Sequence, residues 1–184
     1  MSKNRIKSIR EEIPAARYDK KLECFQKQNG TYFDIYQIVP KDLVNGDIDE
    51  IEMDCFTWAK FYKTYGMDLQ IVSMMFPCDT SKQQEYWKEI KEKNENPVFE
   101  PMIERKLSEL KHRERYTVKK EFFLMFFWKN EDEIRSGRKT ADTTMGIRRM
   151  GTSSNAVSEL LEEIPEKKKR QILFKYANKN SQIF

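Results

Sequence analysis

Two short runs, Leu22–Gln28 and Thr31–Val39, alternate aromatic or β-branched residues with polar ones and meet at Asn29-Gly30. A period of two marks a strand, and Asn-Gly supplies the positive φ angles of a tight primed turn, so the pair predicts a β-hairpin. After Pro40 the period changes. Asp49 with Glu52 three residues on is a helix-start signal, and Ile51, Cys55, Trp58, Tyr62 and Tyr65 follow at helical spacing up to Gly66. The run "MDLQIVSMMF" is nearly all apolar, which predicts a strand buried on both faces and central in its sheet. Pro77 stops it. Asp79 or Thr80, with Gln83 completing a capping box, opens a helix to about Asn94. Pro97 and Pro101 mark a restart, where Ile103, Leu107 and Leu110 stripe a helix running towards Arg115, and "KKEFFLMFFWKN" is the fourth strand.

Beyond Asn130 the chain is polar and punctuated by glycine, which predicts a long loop or a lightly packed helix over 131–152. Val157, Leu160, Leu161 and Ile164 predict a short amphipathic helix, and Pro165 opens another with an apolar edge of Ile172, Leu173 and Tyr176. The sum is an α+β fold: a two-layer domain on a mixed four-stranded sheet, in the order hairpin, helix, strand, two helices, strand, with carboxy-terminal helices. The expected boundaries are a basic leader at 1–20 that need not be ordered, an α+β domain at 21–130, the 131–152 segment, and a helical appendage at 153–184.

Composition fits a folded, soluble chain. Of 184 residues, 35% are charged, yet 12% are aromatic, enough large apolar surface to offset chain entropy. No run approaches the ~20 apolar residues that span a bilayer. The amino terminus lacks the apolar centre of a secretory signal, so the expected location is the cytoplasm. Cys24, Cys55 and Cys78 are an odd set, widely spaced, and are expected to be reduced. The net charge of +4 is unevenly placed. Residues 1–21 carry seven Lys/Arg against three acids, 41–56 one Lys against six acids, and 165–180 six against one.

Candidate chemistry is sparse. In "MGIRRMGTSS", Gly146 and Gly151 stand five apart with Thr152 and Ser153 following, at the spacing of a phosphate-binding loop. Such a loop needs a buried strand before it and a Lys where Thr152 stands, so the expectation is a turn, with Ser153 or Ser154 capping the next helix. "SGRKT" at 136–140 fails likewise. His112 is the only histidine and sits in a charged helical stretch, so neither a two-histidine metal site nor a spare relay is expected. Carboxylate pairs such as Asp47/Asp49 and Asp132/Glu133 fit caps and turns. No catalytic residue, cofactor or metal is expected. One patch, Lys167, Lys168, Lys169 and Arg170 beside Phe174 and Tyr176, has the residue types that contact phosphates and stack bases.

Three stretches carry a family resemblance: "NGTYFDIYQIVPKDL", "FTWAKFYKTYGMDLQIVSMMFPCDTSKQQEYW" and "EFFLMFFWKN". Together, over residues 15–184 and including the closing "ILFKYANKNSQIF", they resemble the amino-terminal, non-motor region of the CagE/TrbE/VirB-type ATPases of type IV secretion and conjugation. The likeness is strongest to Gram-positive versions carried on conjugative plasmids and transposons. As a free-standing chain it is similar to TrsD/TraD-type transfer proteins. The resemblance implies a non-catalytic docking role in DNA transfer, with the motor ATPase or membrane channel subunits as partners and membrane association through them. The alternative is a nucleic-acid-binding accessory. An unrecognised enzyme is the third and weakest fit.

Overall fold

The computed structural model describes residues 15–150 and 159–178. These form strands β1 (Ala15–Asp19), β2 (Cys24–Lys27), β3 (Tyr32–Ile38), β4 (Leu69–Pro77), β5 (Val118–Trp128), β6 (Ile147–Arg148) and β7 (Leu161–Glu163). The helices are α1 (Ile48–Thr64), α2 (Ser81–Lys93), α3 (Glu100–Tyr116), α4 (Glu131–Met145) and α5 (Glu166–Ala177). Two compact units result, one of Met1–Met74 with Glu121–Phe184 and one of Met75–Lys120.

The expected α+β class with a mixed sheet is what forms, but the sheet has seven strands rather than four. Its main path runs β1-β2-β3-β5-β4, and β7 joins β3 to β6. β1 lies where a basic leader was expected. Its Tyr18 meets the Phe25 ring edge-on at 5.0 Å and its Arg17 donates to Gln26 Oε1 at 2.8 Å, contacts that charge counting does not reveal. The β2–β3 hairpin forms as expected, although only Gly30 takes a positive φ, +83°. Lys27 accepts from Gly30 N at 3.1 Å and donates to Thr31 O at 2.7 Å, which is a three-residue loop closed by a left-handed glycine.

β4 was expected to be central and is instead the last strand of the path. Only Val72 and Met74 on it are buried, while Ile71 is 49% exposed. A continuous apolar run says that a strand is apolar on both faces, not that both faces are covered.

α1 is capped by Asp47, whose carboxylate accepts from Asp49 N at 2.9 Å. Phe61 and Tyr65 anchor it, Phe61 meeting Phe126 edge-on at 6.2 Å, whereas the expected stripe residues Cys55 and Tyr62 are exposed. The 131–152 segment holds α4, which is packed firmly. Asn130 caps it by accepting from Glu133 N at 2.9 Å, and Ile134, Gly137, Ala141 and Met145 are its buried edge. Two of these four are too small to register as hydrophobic periodicity. Gly137 faces the Trp128 indole, and a Cβ there would overlap Nε1 and come within 3.2 Å of the Tyr65 hydroxyl. That indole donates to the same hydroxyl at 3.0 Å.

The amphipathic helix expected from Leu160, Leu161 and Ile164 is absent. Leu161–Glu163 is the strand β7 because its backbone completes the ladder of β3 (Tyr36↔Glu163, Ile38↔Leu161) and runs parallel to β6. Val157 and Ser153–Asn155, also assigned to helix or cap, lie outside the described residues, as does most of the expected leader. α5 follows Pro165 as expected, burying Ile172 and Leu173, while Tyr176 stays 39% exposed and bonds Gln70 Nε2 at 3.2 Å.

The second unit carries the helices α2 and α3 between the end of β4 and the start of β5. Ile103 and Leu110 are buried. Thr80 precedes α2 without capping it. Its hydroxyl donates to Leu110 O at 3.2 Å and accepts from Gln84, not Gln83, at 2.8 Å, while Asp79 accepts from Ser81 N at 3.0 Å.

Candidate functional site

The first unit holds open an apolar surface where the β3–α1 connection enters its helix. Asp42 accepts from Val44 N at 2.9 Å and Asn45 N at 3.1 Å, and these bonds with the Asn45 amide hold its carboxyl below the usual range. The tight turn leaves Leu43 and Val44 pointing into solvent, 70% and 89% exposed. Gly46 permits the turn, since a Cβ there would overlap Asp42 O. The helix then continues the surface with Ile48, Met53 and Phe56, 71%, 65% and 71% exposed. Lys41 ties the connection to the helix through Asp54 at 2.6 Å. That pair consumes the one Lys of residues 41–56, which leaves Asp42, Asp47, Asp49, Glu50 and Glu52 as an acidic excess in the same stretch as the apolar residues. Scattered exposed apolar residues need no explanation, but five of them fall within one acidic stretch.

A second arrangement is buried. β3 changes partners along one side: Tyr32 and Phe33 register with β2, Tyr36–Ile38 with β7, and Asp34 falls in the gap. Its carboxylate, 1% exposed, meets Lys169 Nζ of α5 at 2.5 Å and Arg138 Nη2 of α4 at 2.9 Å. Arg138 also donates to the carbonyls of Leu22 at 2.7 Å and Glu23 at 3.2 Å. A cavity of about 100 Å³ adjoins the group, lined by Tyr18, Tyr36 and Glu163 among others. Burial, reinforced by Asp34, pushes the Tyr18 hydroxyl to about 12 and the Tyr36 hydroxyl well above its ordinary value. Both carboxylate oxygens face cations, so chemically this is a brace tying β3 to two helices. Sequence reasoning missed it because its members lie 104 and 135 residues apart. The one available signal was an Asp between Phe33 and Ile35 inside an apolar strand.

The structure separates the expected phosphate-contacting patch. Lys169 is the buried brace residue, 5% exposed. Lys168 bridges Glu121 at 3.0 Å and Gln37 at 2.7 Å, and Arg170 pairs with Glu166 at 2.6 Å. Of the four, Lys167 and Arg170 are exposed, and Arg170 is held by Glu166, so the four cations do not share one open face. Gly146 lies at the end of α4, where its N–H donates to Asp142 O at 3.0 Å and its φ is +65°. A helix carboxy terminus carries the negative dipole end, the reverse of what a phosphate cradle needs. Gly151–Ser154 lie outside the described residues, and residues 136–140 are helical.

No helix among the described residues is long and apolar enough to cross a membrane. A family model described as an archaeal TraC-like domain matches residues 16–180. No curated protein and no solved structure matches the chain.

Proposed function

We propose that this chain, which belongs to the archaeal TraC-like domain family, is a non-catalytic docking component of a conjugation-type transfer apparatus. The type IV secretion assignment is finer than the family description and is part of the proposal. So are the partners, a motor ATPase or membrane channel subunit, and a working place at the inner membrane face reached through them. The observation that carries the docking reading is the open acidic-apolar surface of Leu43, Val44, Ile48, Met53 and Phe56. Its partner chemistry is a basic segment with apolar side chains, since the acidic excess supplies attraction and orientation and the apolar residues supply buried area.

Pull-down from cells carrying the transfer genes tests it. The chain is expected to recover the motor ATPase or a channel subunit, and Phe56→Glu is expected to lose that capture with an unchanged circular dichroism spectrum. Recovery of neither protein would overturn the reading.

A further inference from the structure

A different surface, in the unit of residues 75–120, has the features of an anion site. Between α2 and α3 runs a groove of about 390 Å³ whose lining includes Lys82, Tyr86, Trp87, Lys106, Glu109 and Arg113. Three cations face one carboxylate, and Arg105 Nε at 3.3 Å and Lys106 Nζ at 3.6 Å already engage that carboxylate. The excess continues beyond the groove. Residues 105–120 carry seven Lys/Arg against Glu109 and Glu114, and Glu114 accepts from Gln84 at 2.6 Å. Residues 111–120 are all exposed. Arg113 also lines a second concavity of about 550 Å³ on α3, beside His112 and Arg105, so it stands where the two depressions meet.

Aromatic rings are open on the same pair of helices. Tyr86 is 60% exposed at the groove, and Tyr116 is 67% exposed with His112 packed on it at 4.6 Å between ring centroids.

We propose that the α2–α3 groove binds single-stranded nucleic acid, with phosphates on Lys82, Lys106 and Arg113 and an unpaired base against Tyr86. Spaced cations alone would suit any polyanion, but open rings beside them add a site for planar bases, and stacking needs bases that are not already paired. The proposal does not rest on the docking surface, which belongs to the other unit, so either can fail without the other.

Fluorescence anisotropy of a labelled oligothymidylate with the full chain, read across a salt series, tests it. Saturable binding that weakens with salt is expected. The triple variant Lys82→Ala, Lys106→Ala, Arg113→Ala should flatten the log–log salt slope by about 2, at roughly 0.7 per phosphate contact on a single strand. Tyr86→Leu should weaken binding about tenfold with the slope kept, Tyr86→Phe should bind as the parent does, and removing three exposed charges from the other unit (Lys20, Lys60 and Lys63, each →Ala) should leave the slope alone. All of the substituted side chains are exposed, so folding is not at stake. Absence of saturable binding, an unchanged slope in the triple variant, indifference to Tyr86→Leu, or displacement by polyglutamate as effective as by unlabelled oligonucleotide would each overturn it.

Discussion

Gly137 shows how much one missing carbon decides. Its hydrogen lets α4 approach the Trp128 indole, so Gly137→Ala is expected to lower unfolding stability by about 2 kcal/mol through overpacking, measurable by urea denaturation. Asp34 is critical for the opposite reason. Asp34→Asn leaves Lys169 and Arg138 beside a neutral group and is expected to cost about 3–5 kcal/mol, while Asp34→Leu combined with Lys169→Met should recover only part of the loss, because Arg138 still lacks its carboxylate. Cysteine reactivity divides by position. Cys55 is exposed and should be alkylated first, whereas the Cys24 thiol is buried and pushed up to about 12 by burial and then by Asp34, so it should react only on unfolding. At this scale the sequence was readable where chemistry is local, as at Asn29-Gly30, and unreadable where partners come from distant elements, as at Asp34. That Cys24, Cys55 and Cys78 do not pair with one another was legible from their number and spacing alone.

Among elements, β4 is the instructive one. Its nine residues contain no Asp, Glu, Lys or Arg, and it ends the sheet path, so it lacks the usual charged protection of an edge. Ser73→Lys is expected to reduce light scattering on heating, with little change in the thermal midpoint because Ser73 is exposed. Hydrophobic period identified β3, β4, β5 and most helices correctly by type. At α4 it left loop and lightly packed helix both open, because small residues hold the buried edge, and it failed at β7, where three residues take strand geometry only because β3 offers them an open ladder. The proposed docking surface was partly visible as an acidic stretch, and Leu43, Val44, Ile48, Met53 and Phe56 all lay outside the helical stripe that the spacing placed inward, whereas Cys55 and Tyr62 of that stripe are exposed. Burial depends on what lies opposite, and periodicity cannot state that.

At the scale of the whole molecule, burial of phenols and a thiol sets the alkaline limit of stability. Tyr18, Tyr36, Tyr65 and Cys24 all have raised values in the fold, with burial the first cause. Each is neutral when protonated, so the folded chain keeps protons that the unfolded chain releases. Their contribution is complete below the unfolded values of 9.0 and 10.0, and it falls as pH rises from there towards about 12. Denaturant midpoints should therefore decline above pH 9.0 and not before on account of these groups, and phenolate absorbance should rise in two stages, exposed tyrosines first. The α+β class was legible because strand and helix periods dominate the chain, while its division into two units was not, since the break falls inside two continuous strands.

That division has an optical consequence. Trp58 and Trp128 belong to one unit and Trp87 to the other. A chain carrying Trp87 alone, with Phe at 58 and 128, would glow from the unit of α2 and α3, and the complementary Trp87→Phe chain from the other unit, through Trp58 on α1 and Trp128 on β5. The two emission signals together would tell an observer whether the pieces melt in step or in turn.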